Sequence, residues 1–397
     1  MPTESPEQQV LIAGAGPVGM FAAFILARSG VSVTVLEAGS ELSTQSRAST
    51  FHPPTLEMLE EYGMLDALRE EGLDVPTFQY RDRKEGLVAE LDLSLLARDT
   101  PYPFRVQCEQ SKLTRIVLDR LAGSDNARVL FDAQVTEVDQ TDDRVTVRIA
   151  DGRVFTASYL IGADGASSVV RKQVGGKFGG ITYPERYIVI STQEDIKAWI
   201  PDIAYVNYIS DPDEWLVLLR TPQHWRAMFP VREGVSDEQA LDPENVQRLM
   251  GTIGDKGGAW PILHTTLYRV HQRVANAYRF DRVFLAGDAA HINNPLGGLG
   301  MNSGLHDVYH LAPLLAEVLK GHADDRALDS YDRERRRVSQ EYVAIETDKN
   351  WRKLRETDEA ERRAWQDELR AIVADPIRHL DYVRGSCMLS ANANARS

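Results

Sequence analysis

The sequence is 397 residues long, with 43% hydrophobic and 26% charged residues and a formal net charge of −14 at pH 7. This composition is typical of a globular protein, and the length allows two domains with large cores. The acidic balance argues against nucleic acid or an anionic membrane as the main partner, because both bind basic surfaces. The two cysteines are too few for a disulfide framework or a cysteine-rich metal site. We therefore predict a cytoplasmic protein with no membrane span and no metal centre.

The first motif lies near the amino end. An apolar run that ends at Ala13 is followed by Gly14-x-Gly16-x-x-Gly19, then by an apolar helical pattern, and then by a second apolar run that ends in Glu37. A strand, a tight turn, a helix and a second strand with an acid at its tip are typical of the dinucleotide-binding βαβ unit.

Each residue type in this motif has a physical reason. Gly14 allows the sharp turn, Gly16 lets a pyrophosphate approach the backbone, and Gly19 lets the helix pack closely on the strand. The helix N-terminus offers unpaired N–H groups and a positive dipole to phosphates. Glu37 is placed to accept hydrogen bonds from a ribose diol. The motif predicts a dinucleotide site without saying which dinucleotide binds.

The next part of the chain alternates helical and strand patterns. Pro53-Pro54 opens one helix, and a second helix covers residues 111–121. Strands are predicted over residues 78–81, 87–91, 128–131, 134–138, 144–150, 154–157 and 159–162.

Two more buried strands end beside an acid and a glycine. The strand over 159–162 leads to Asp164-Gly165, and the strand over 282–286 leads to Gly287-Asp288. The carboxyl ends of strands are where open α/β sheets bind ligands. A glycine-rich segment, 295–302, then precedes a helix. Three motifs so far apart in the sequence indicate a long cofactor that lies across the fold.

The remaining segments differ in composition. Residues 187–231 are dense in aromatic residues and alternate in hydropathy, which predicts a separate sheet whose aromatic residues are mostly core. Residues 327–383 are predicted to be charged helices. Within them, Arg333 to Arg337 is expected to form a solvated helix face, not a nucleic-acid patch.

The three fingerprints, in this order and spacing, resemble those of the class A flavoprotein aromatic hydroxylases, the para-hydroxybenzoate hydroxylase family. The resemblance covers nearly the whole chain. It implies an α/β fold of the α+β two-domain kind, with a Rossmann-like FAD-binding domain, an inserted antiparallel-sheet substrate domain and a C-terminal helical region. The predicted boundaries are 1–77, 102–180 and 274–330 for the FAD-binding domain, 78–101 and 181–273 for the substrate domain, and 331–397 for the helices.

The resemblance also implies where FAD binds. The first loop would hold the pyrophosphate and Glu37 the adenosine ribose. Gln107 would lie beside the ribityl-phosphate chain, and Asp288 would hold the ribityl hydroxyls. The Asp164-Gly165 pair is linked to both FAD and NAD(P)H binding, and Arg47 resembles an arginine that contacts the cofactor. The predicted cofactor-binding residues are Gly14, Ala15, Gly16, Pro17, Val18, Gly19, Glu37, Ala38, Arg47, Gln107, Val135, Asp164, Gly165, Gly287, Asp288, Gly298, Gly300, Met301 and Asn302.

The chemistry that the resemblance implies belongs to FAD. NADPH or NADH reduces the flavin, which reacts with O2 to a C4a-hydroperoxide that hydroxylates a phenolate ring. Pro295 and the segment 298–302 resemble the loop beside the isoalloxazine ring. A helix N-terminus near Met301 and Asn302 would stabilise negative charge on the reduced flavin. The aromatic sheet can supply the dry pocket that this chemistry needs.

Fewer residues can be assigned on the substrate side. His52 either faces the flavin pocket or is a capping or surface histidine before a helix, and with Pro295 it forms the predicted catalytic set. The predicted substrate-binding residues are Tyr205, Arg220 and His224. Of these, Arg220 would meet an anionic group of the substrate.

A closer resemblance within the family is to para-nitrophenol 4-monooxygenase-like enzymes. It rests on residues 268–273 (YRVHQR), residues 294–300 (NPLGGLG) and the Asp211-Pro212 turn before Trp215. These enzymes hydroxylate para-substituted phenols and hydroxypyridines, and some displace a ring substituent. The resemblance implies an FAD-dependent NAD(P)H monooxygenase that acts on a small aromatic substrate as a homodimer.

Two other functions stay open from the sequence. A halogenase-like or reductase-like FAD oxidoreductase shares the cofactor fold, although Trp199-Ile200-Pro201 lacks the partner tryptophan of the W-x-W-x-I-P halogenase pattern. A flavin-binding protein without turnover belongs to a different class.

Overall fold

The computed structural model describes residues 8–45 and 48–389. Its strands are β1 (Gln8–Ala13), β2 (Val33–Leu36), β3 (Thr50–Phe51), β4 (Leu73–Val75), β5 (Thr77–Asp82), β6 (Gly86–Asp92), β7 (Arg105–Gln107), β8 (Ala127–Leu130), β9 (Val135–Gln140), β10 (Val145–Ile149), β11 (Val154–Gly162), β12 (Phe178–Thr192), β13 (Val206–Ser210), β14 (Leu216–Arg220), β15 (Trp225–Val231), β16 (Ile262–Ala275), β17 (Arg279–Phe280), β18 (Val283–Leu285) and β19 (His291–Ile292).

Its α-helices are α1 (Pro17–Arg28), α2 (Pro53–Glu61), α3 (Leu65–Glu70), α4 (Gln110–Leu121), α5 (Val169–Gln173), α6 (Asp237–Leu241), α7 (Pro243–Gly251), α8 (Leu299–Leu319), α9 (Asp329–Val338), α10 (Ala344–Leu354), α11 (Glu359–Ala374) and α12 (Pro376–Ser386). None of the helices in the described ranges is long and apolar enough to cross a membrane.

The first large sheet contains the βαβ unit. Its strands lie in the order β17-β18-β11-β1-β2-β8, and β18, β11, β1, β2 and β8 run parallel. Val10, Leu11 and Ile12 of the central strand are fully buried, as expected of a parallel strand covered on both faces. Because β1, β11 and β18 are neighbours and parallel, the three motifs that follow them emerge at one edge of the sheet.

The second large sheet has the order β19-β16-β12-β15-β14-β13-β5-β6 and is antiparallel except where β13 pairs with β5. On one face, Tyr80 and Tyr208 share a core with Leu369 and Val383 of the C-terminal helices. The other face packs Trp225 and neighbouring apolar side chains against α7. A small third sheet has the order β3-β7-β4. This mixed α/β architecture confirms the predicted fold class, whereas the domain boundaries stay predictions.

A buried ionic network ties α8 to α9 and to the turn after β18. Asp307 is fully buried, and its carboxylate accepts from the Gly287 N–H at 3.0 Å and from Arg335 Nε at 2.9 Å, with His291 Nε2 at 2.8 Å. Burial acts to raise the pKa of Asp307, but His291 and Arg335 hold it below its usual value. The expectation that Arg333 to Arg337 is a solvated face is therefore wrong for Arg335, which is 4% exposed. A helix turns about 100° per residue, so one member of such a run faces inward.

Removal of Arg335 should destabilise the protein strongly. Arg335→Met removes the guanidinium partner of the fully buried Asp307 carboxylate and leaves it the Gly287 N–H and His291, so the free energy of unfolding should fall by about 3–5 kcal/mol in chemical denaturation. Arg333→Met on the same helix removes an arginine whose side chain is 70% exposed and should change it by less than about 0.5 kcal/mol. Equally small effects of both changes would contradict a structural role for the network.

Candidate active site

The turn after β1 has the shape that the glycine motif predicts. Gly14 has a φ of +99°, and a Cβ there would lie 2.5 Å from the carbonyl oxygen of Ala163. A Cβ at Gly19 would collide with the Gly14 carbonyl oxygen. A Cβ at Gly16, in contrast, would meet no protein atom within 4 Å. The packing of the protein itself requires Gly14 and Gly19, whereas the open side of Gly16 leaves room for a phosphate at the start of α1.

Glu37 holds this turn in place. Its Oε2 accepts a hydrogen bond from the Ala15 N–H at 2.6 Å, and its Oε1 accepts one from the Gly39 N–H at 2.8 Å. Carboxylate oxygens have further lone pairs, so the side chain can still accept from a ribose diol. The adjacent Ala38 is exposed. The predicted cofactor contact Arg47 lies outside the described residues.

The second motif is a helix cap. Asp164 Oδ2 accepts from the Val169 and Val170 N–H groups at 2.7 and 3.0 Å, and Oδ1 accepts from the Ser168 hydroxyl. Gly165 follows with a φ of +80°. Because both carboxylate oxygens already stabilise the start of α5, we expect contacts of this motif with a cofactor to come from its backbone. The cofactor roles of Asp164 and Gly165 stay predictions.

The third motif joins the first. Gly287 and Asp288 lie in a 3-10 turn, and a Cβ at Gly287 would lie 2.9 Å from Val18 Cγ2. A Cβ at Gly304 would lie 3.0 Å from the Gly287 Cα, so α8 also approaches at backbone distance. Asp288 is exposed at this edge. Sequence reasoning missed Gly304, although a glycine inside a helical pattern was an available signal for close packing.

Gln107 provides a test of whether a cofactor fits. The side chain is fully buried on β7, and its Nε2 donates to the Thr50 hydroxyl at 2.8 Å. Its Oε1 is buried and has no hydrogen-bond donor among the described residues. An orphaned buried acceptor costs about 1–3 kcal/mol, so it marks a position where a ligand hydroxyl is expected. The residues present therefore fit the ribityl chain of FAD. Val135, also predicted to contact the cofactor, is buried at the start of β9.

Asn302 organises the loop that is predicted to border the isoalloxazine ring. This buried side chain accepts from the His52 N–H at 2.9 Å and the Thr55 hydroxyl at 2.7 Å. It donates to the carbonyl oxygens of Thr50 at 2.8 Å and Gly298 at 2.7 Å. The start of α8 is thereby held against β3 and α2.

The rest of this loop is closely packed. Gly298 has a φ of +68°, and a Cβ at Gly300 would lie 2.9 Å from the Asn293 side chain. Met301 is 8% exposed, and Pro295 is half-buried. The cofactor roles of Gly300 and Met301 and the catalytic role of Pro295 stay predictions.

His52 is fully buried, so the alternative of a surface histidine is wrong. Its Nε2 lies 2.9 Å from the Gly297 carbonyl oxygen, which places the proton on that nitrogen. Burial, and then the positive charge of Arg105, lower the pKa of His52 well below 6.5. The ring is therefore neutral at pH 7 and a weak base. This geometry favours a role in positioning the 297–298 backbone, while the predicted catalytic role stays untested.

Arg220 and His224, two of the predicted substrate-binding residues, lie at the β14–β15 hairpin, and Tyr205 lies just before β13, the neighbouring strand. The Arg220 N–H donates to the Tyr205 carbonyl at 2.8 Å, and its guanidinium carbon lies 5.9 Å from the Trp225 ring centre. His224 Nδ1 lies 3.9 Å from Glu109 Oε1. Burial lowers the pKa of His224, so this ring too favours its neutral form. Their contact with substrate stays a prediction.

A cavity of about 120 Å³ lies beyond the 297–299 loop. Its walls come from the second sheet (Phe78, Tyr80 and Tyr208), from Arg105 of β7 and from helices α10 and α12. Tyr205, Arg220 and His224 do not line it. The sequence places Arg105 two residues before Gln107, and because side chains alternate along a strand both lie on one face of β7. The described residues contain no group of His, Cys, Asp and Glu that could hold a metal ion.

Comparison with known proteins agrees with this geometry. The family described as "FAD binding domain" matches residues 7–346. Para-nitrophenol 4-monooxygenase of Pseudomonas sp. (strain WBC-3) is 34% identical over 364 residues, which is 89% of each chain. 6-Hydroxy-3-succinoylpyridine 3-monooxygenase of Pseudomonas putida (strain DSM 28022 / S16) is 31% identical over 96% of this chain and 98% of its own. The crystal structure of p-nitrophenol 4-monooxygenase from Pseudomonas putida DLL-E4 matches with a TM-score of 0.90 and 31% identity, over 96% of this chain and 98% of that one.

The chain therefore belongs to the FAD-binding family of class A aromatic hydroxylases and is a flavin-dependent aromatic monooxygenase. These relatives are monooxygenases, which favours hydroxylation over the halogenase-like, reductase-like and non-catalytic alternatives.

Alanine at two glycines should separate folding from cofactor binding. Gly16→Ala meets open space, so the unfolding free energy of the apoprotein should stay within about 0.5 kcal/mol of wild type while FAD binding weakens about tenfold or more. Gly19→Ala meets backbone and should destabilise the apoprotein itself by about 1–3 kcal/mol. Denaturation of apoprotein and fluorescence titration with FAD check both. Unchanged FAD affinity in Gly16→Ala would contradict the phosphate site.

The burial of His52 should make stability fall in acid. The pKa of His52 is lowered in the folded protein, so below about pH 6.5 the unfolded chain binds a proton that the folded chain does not. Between pH 8 and pH 5 the Tm of wild type should therefore fall more than that of His52→Gln. Substitution of His322, which is exposed, is the matched control for the loss of one histidine. Equal slopes in all three proteins would show that the pKa of His52 does not change on folding, which would contradict the lowered pKa.

Proposed function

We propose that this protein hydroxylates a small phenolic or hydroxypyridine-type ring, with FAD as cofactor and NAD(P)H and O2 as co-substrates. The observations that carry the proposal are open space beside Gly16 at the start of α1, an orphaned buried acceptor at Gln107, and a cavity beside Gly297 that Arg105, on the same strand as Gln107, also lines. These features suit an extended cofactor with its phosphates at Gly16 and its sugar chain at Gln107, and a small aromatic ring in the cavity. The names of two relatives, a nitrophenol monooxygenase and a hydroxypyridine monooxygenase, support the substrate class.

FAD, when bound, supplies the redox chemistry that joins NAD(P)H oxidation to transfer of one oxygen atom from O2 to the ring. The work of the protein is to bind and to orient. The N-terminus of α1 and the Gly14–Gly19 turn hold the pyrophosphate, with Glu37 on the ribose and Gln107 on the ribityl chain. The N-terminus of α8, fixed by Asn302, places backbone N–H groups and positive dipole where negative charge collects on a reduced flavin.

Apolar and aromatic side chains of the second sheet pack beside the predicted isoalloxazine loop. Tyr187, Met228 and Tyr268 form part of a buried cluster on the sheet face that looks toward this loop, and Leu296 of the loop belongs to the same cluster. A dry site strengthens electrostatic interactions with the ring and limits loss of reactive oxygen species to solvent. The resemblance to para-nitrophenol 4-monooxygenase supports, in addition, release of a para substituent during hydroxylation.

We also propose a cytoplasmic homodimer. Both cysteines are buried and free, which suits a reducing compartment. The dimer is an expectation from the family, and sedimentation equilibrium would test it.

A panel of para-substituted phenols and hydroxypyridines should accelerate NAD(P)H oxidation by the FAD-loaded enzyme. The product should contain one oxygen atom from 18O2, and a substrate with a para leaving group should lose that group. The matched controls are the methyl ethers of the same phenols, which cannot form a phenolate and should not be hydroxylated. The proposal fails if no member of the panel raises the rate of NAD(P)H oxidation or yields a labelled product.

A further inference from the structure

Arg105 is a buried cation at the cavity, and no carboxylate of residues 8–45 and 48–389 forms an ion pair with it. Its side chain is 2% exposed, and the guanidinium carbon lies 4.1 Å from the Phe78 ring centre. Nη2 reaches the carbonyl and hydroxyl oxygens of Ser386 at 3.3 and 3.4 Å. Nε and Nη1 are buried and have no acceptor among the described residues. Two of the three guanidinium nitrogens thus lack partners.

The acidic residues nearby do not supply the missing charge. Glu346 and Asp381 line the same cavity, but each pairs with a base on its own helix, Glu346 with Lys349 at 3.8 Å and Asp381 with Arg384 at 3.3 Å. A buried charge without a partner is strongly unfavourable. Such a group is therefore expected where a ligand brings the opposite charge.

The cavity has the size and chemistry for such a ligand. Its volume of about 120 Å³ is close to the roughly 150 Å³ that encloses benzene in a protein interior. The Tyr80 and Tyr208 rings stack at 5.2 Å, and the Tyr382 hydroxyl donates to that of Tyr80 at 3.1 Å. Burial raises the pKa of both Tyr80 and Tyr208, so these hydroxyls stay protonated donors. Gly297 completes the wall on the side of the predicted isoalloxazine loop.

We propose that Arg105 binds an anionic oxygen group of the aromatic substrate, so that the enzyme selects small ionised ring compounds. The inference rests on the proposed function, because it places the substrate in the cavity next to that loop. A planar guanidinium with two free N–H edges matches a carboxylate in a bidentate pair and also binds a single phenolate oxygen. Arg220, the sequence-based choice for this role, does not line the cavity.

The test measures binding to the FAD-loaded enzyme through changes in flavin absorption. Wild type should bind 4-hydroxybenzoate more tightly than the isosteric 4-hydroxybenzamide. Arg105→Met should weaken the acid about tenfold or more, the range expected for hydrogen bonds to a charged group, and the amide by less than about threefold. Arg105→Lys should recover part of the preference. Arg352→Met on α10 removes an exposed arginine that does not line the cavity and should behave as wild type.

Two further probes separate the sources of the anion. If the carboxylate binds Arg105, benzoate shows the same dependence on Arg105 as 4-hydroxybenzoate. If the phenolate binds, benzoate is insensitive, whereas 4-nitrophenol binds more tightly as pH rises through its ionisation in wild type but not in Arg105→Met. An acid-to-amide ratio and a 4-nitrophenol pH profile that are both unchanged in Arg105→Met would overturn the proposal.

Separate control experiments test the fold of each variant and the proposed hydroxylation. Circular dichroism and the FAD content of each variant show whether the fold survives, and Arg105→Lys keeps the charge if Arg105→Met does not fold. Failure of every phenol to raise NAD(P)H oxidation, with anion selectivity intact, would remove the proposed hydroxylation and leave an anion-binding site. If the enzyme hydroxylates phenols and neither Arg105→Met nor Arg105→Lys loses anion selectivity, the proposed role of Arg105 is wrong and the proposed hydroxylation stands.

Discussion

Backbone-to-backbone contact at one edge of the first sheet is the constraint on which the rest of the structure depends. Gly14 lies against the Ala163 carbonyl, Gly19 against Gly14, and Gly304 against Gly287. At each of these places a side chain would separate two elements that must touch. Because the contacts leave no Cβ between the motifs, three segments far apart in the chain form a single surface that one long cofactor can span.

The second level of organisation is polar and buried. Asn302 uses both ends of its amide to hold α8 against β3 and α2, and the His52 ring meets the Gly297 carbonyl. Asp307, further along the same helix, accepts the Gly287 N–H and so fixes the turn after β18. The first and last turns of the cofactor surface are thus connected through α8. A shift of α8 would therefore move both the segment beside Val18 and Gly287 and the loop around Gly298. The buried polar contacts of α8 hold the helix in one position.

The sequence predicted the turns and strand ends of the first sheet in more detail than the contacts of the second sheet, for a physical reason, while the cofactor and substrate roles of these residues stay predictions. The glycine motif, Glu37 and the two later acids follow strands in short local patterns, and local patterns determine turns and caps. Gln107 and Asn302 form hydrogen bonds with residues 57 and 252 positions away in the chain, and hydrophobic periodicity cannot predict such distant partners. Asp164 was predicted at the right place, but the structure shows it capping α5. The choice of Arg220 followed from its position in the aromatic sheet, near a carboxylate-binding arginine of the para-hydroxybenzoate hydroxylase family, and position in a sheet does not say which cavity a side chain meets.

Two buried arginines differ in whether a buried carboxylate balances their charge, and this difference separates a structural role from a functional one. Arg335 meets a buried carboxylate, and its neighbourhood is complete without any ligand. Arg105 is equally buried, yet within the part of the chain that the structure describes its hydrogen-bond acceptors are a carbonyl, a hydroxyl and a sulfur, all on one nitrogen. The chain has a net charge of −14, so acidic side chains are abundant. The lack of an acidic partner at Arg105 therefore does not reflect a shortage of carboxylates. The π face of Phe78 and the neighbouring tyrosines lower the energy of the charge without satisfying its N–H groups. The free N–H groups then define what enters: an oxygen anion on a ring small enough for the cavity.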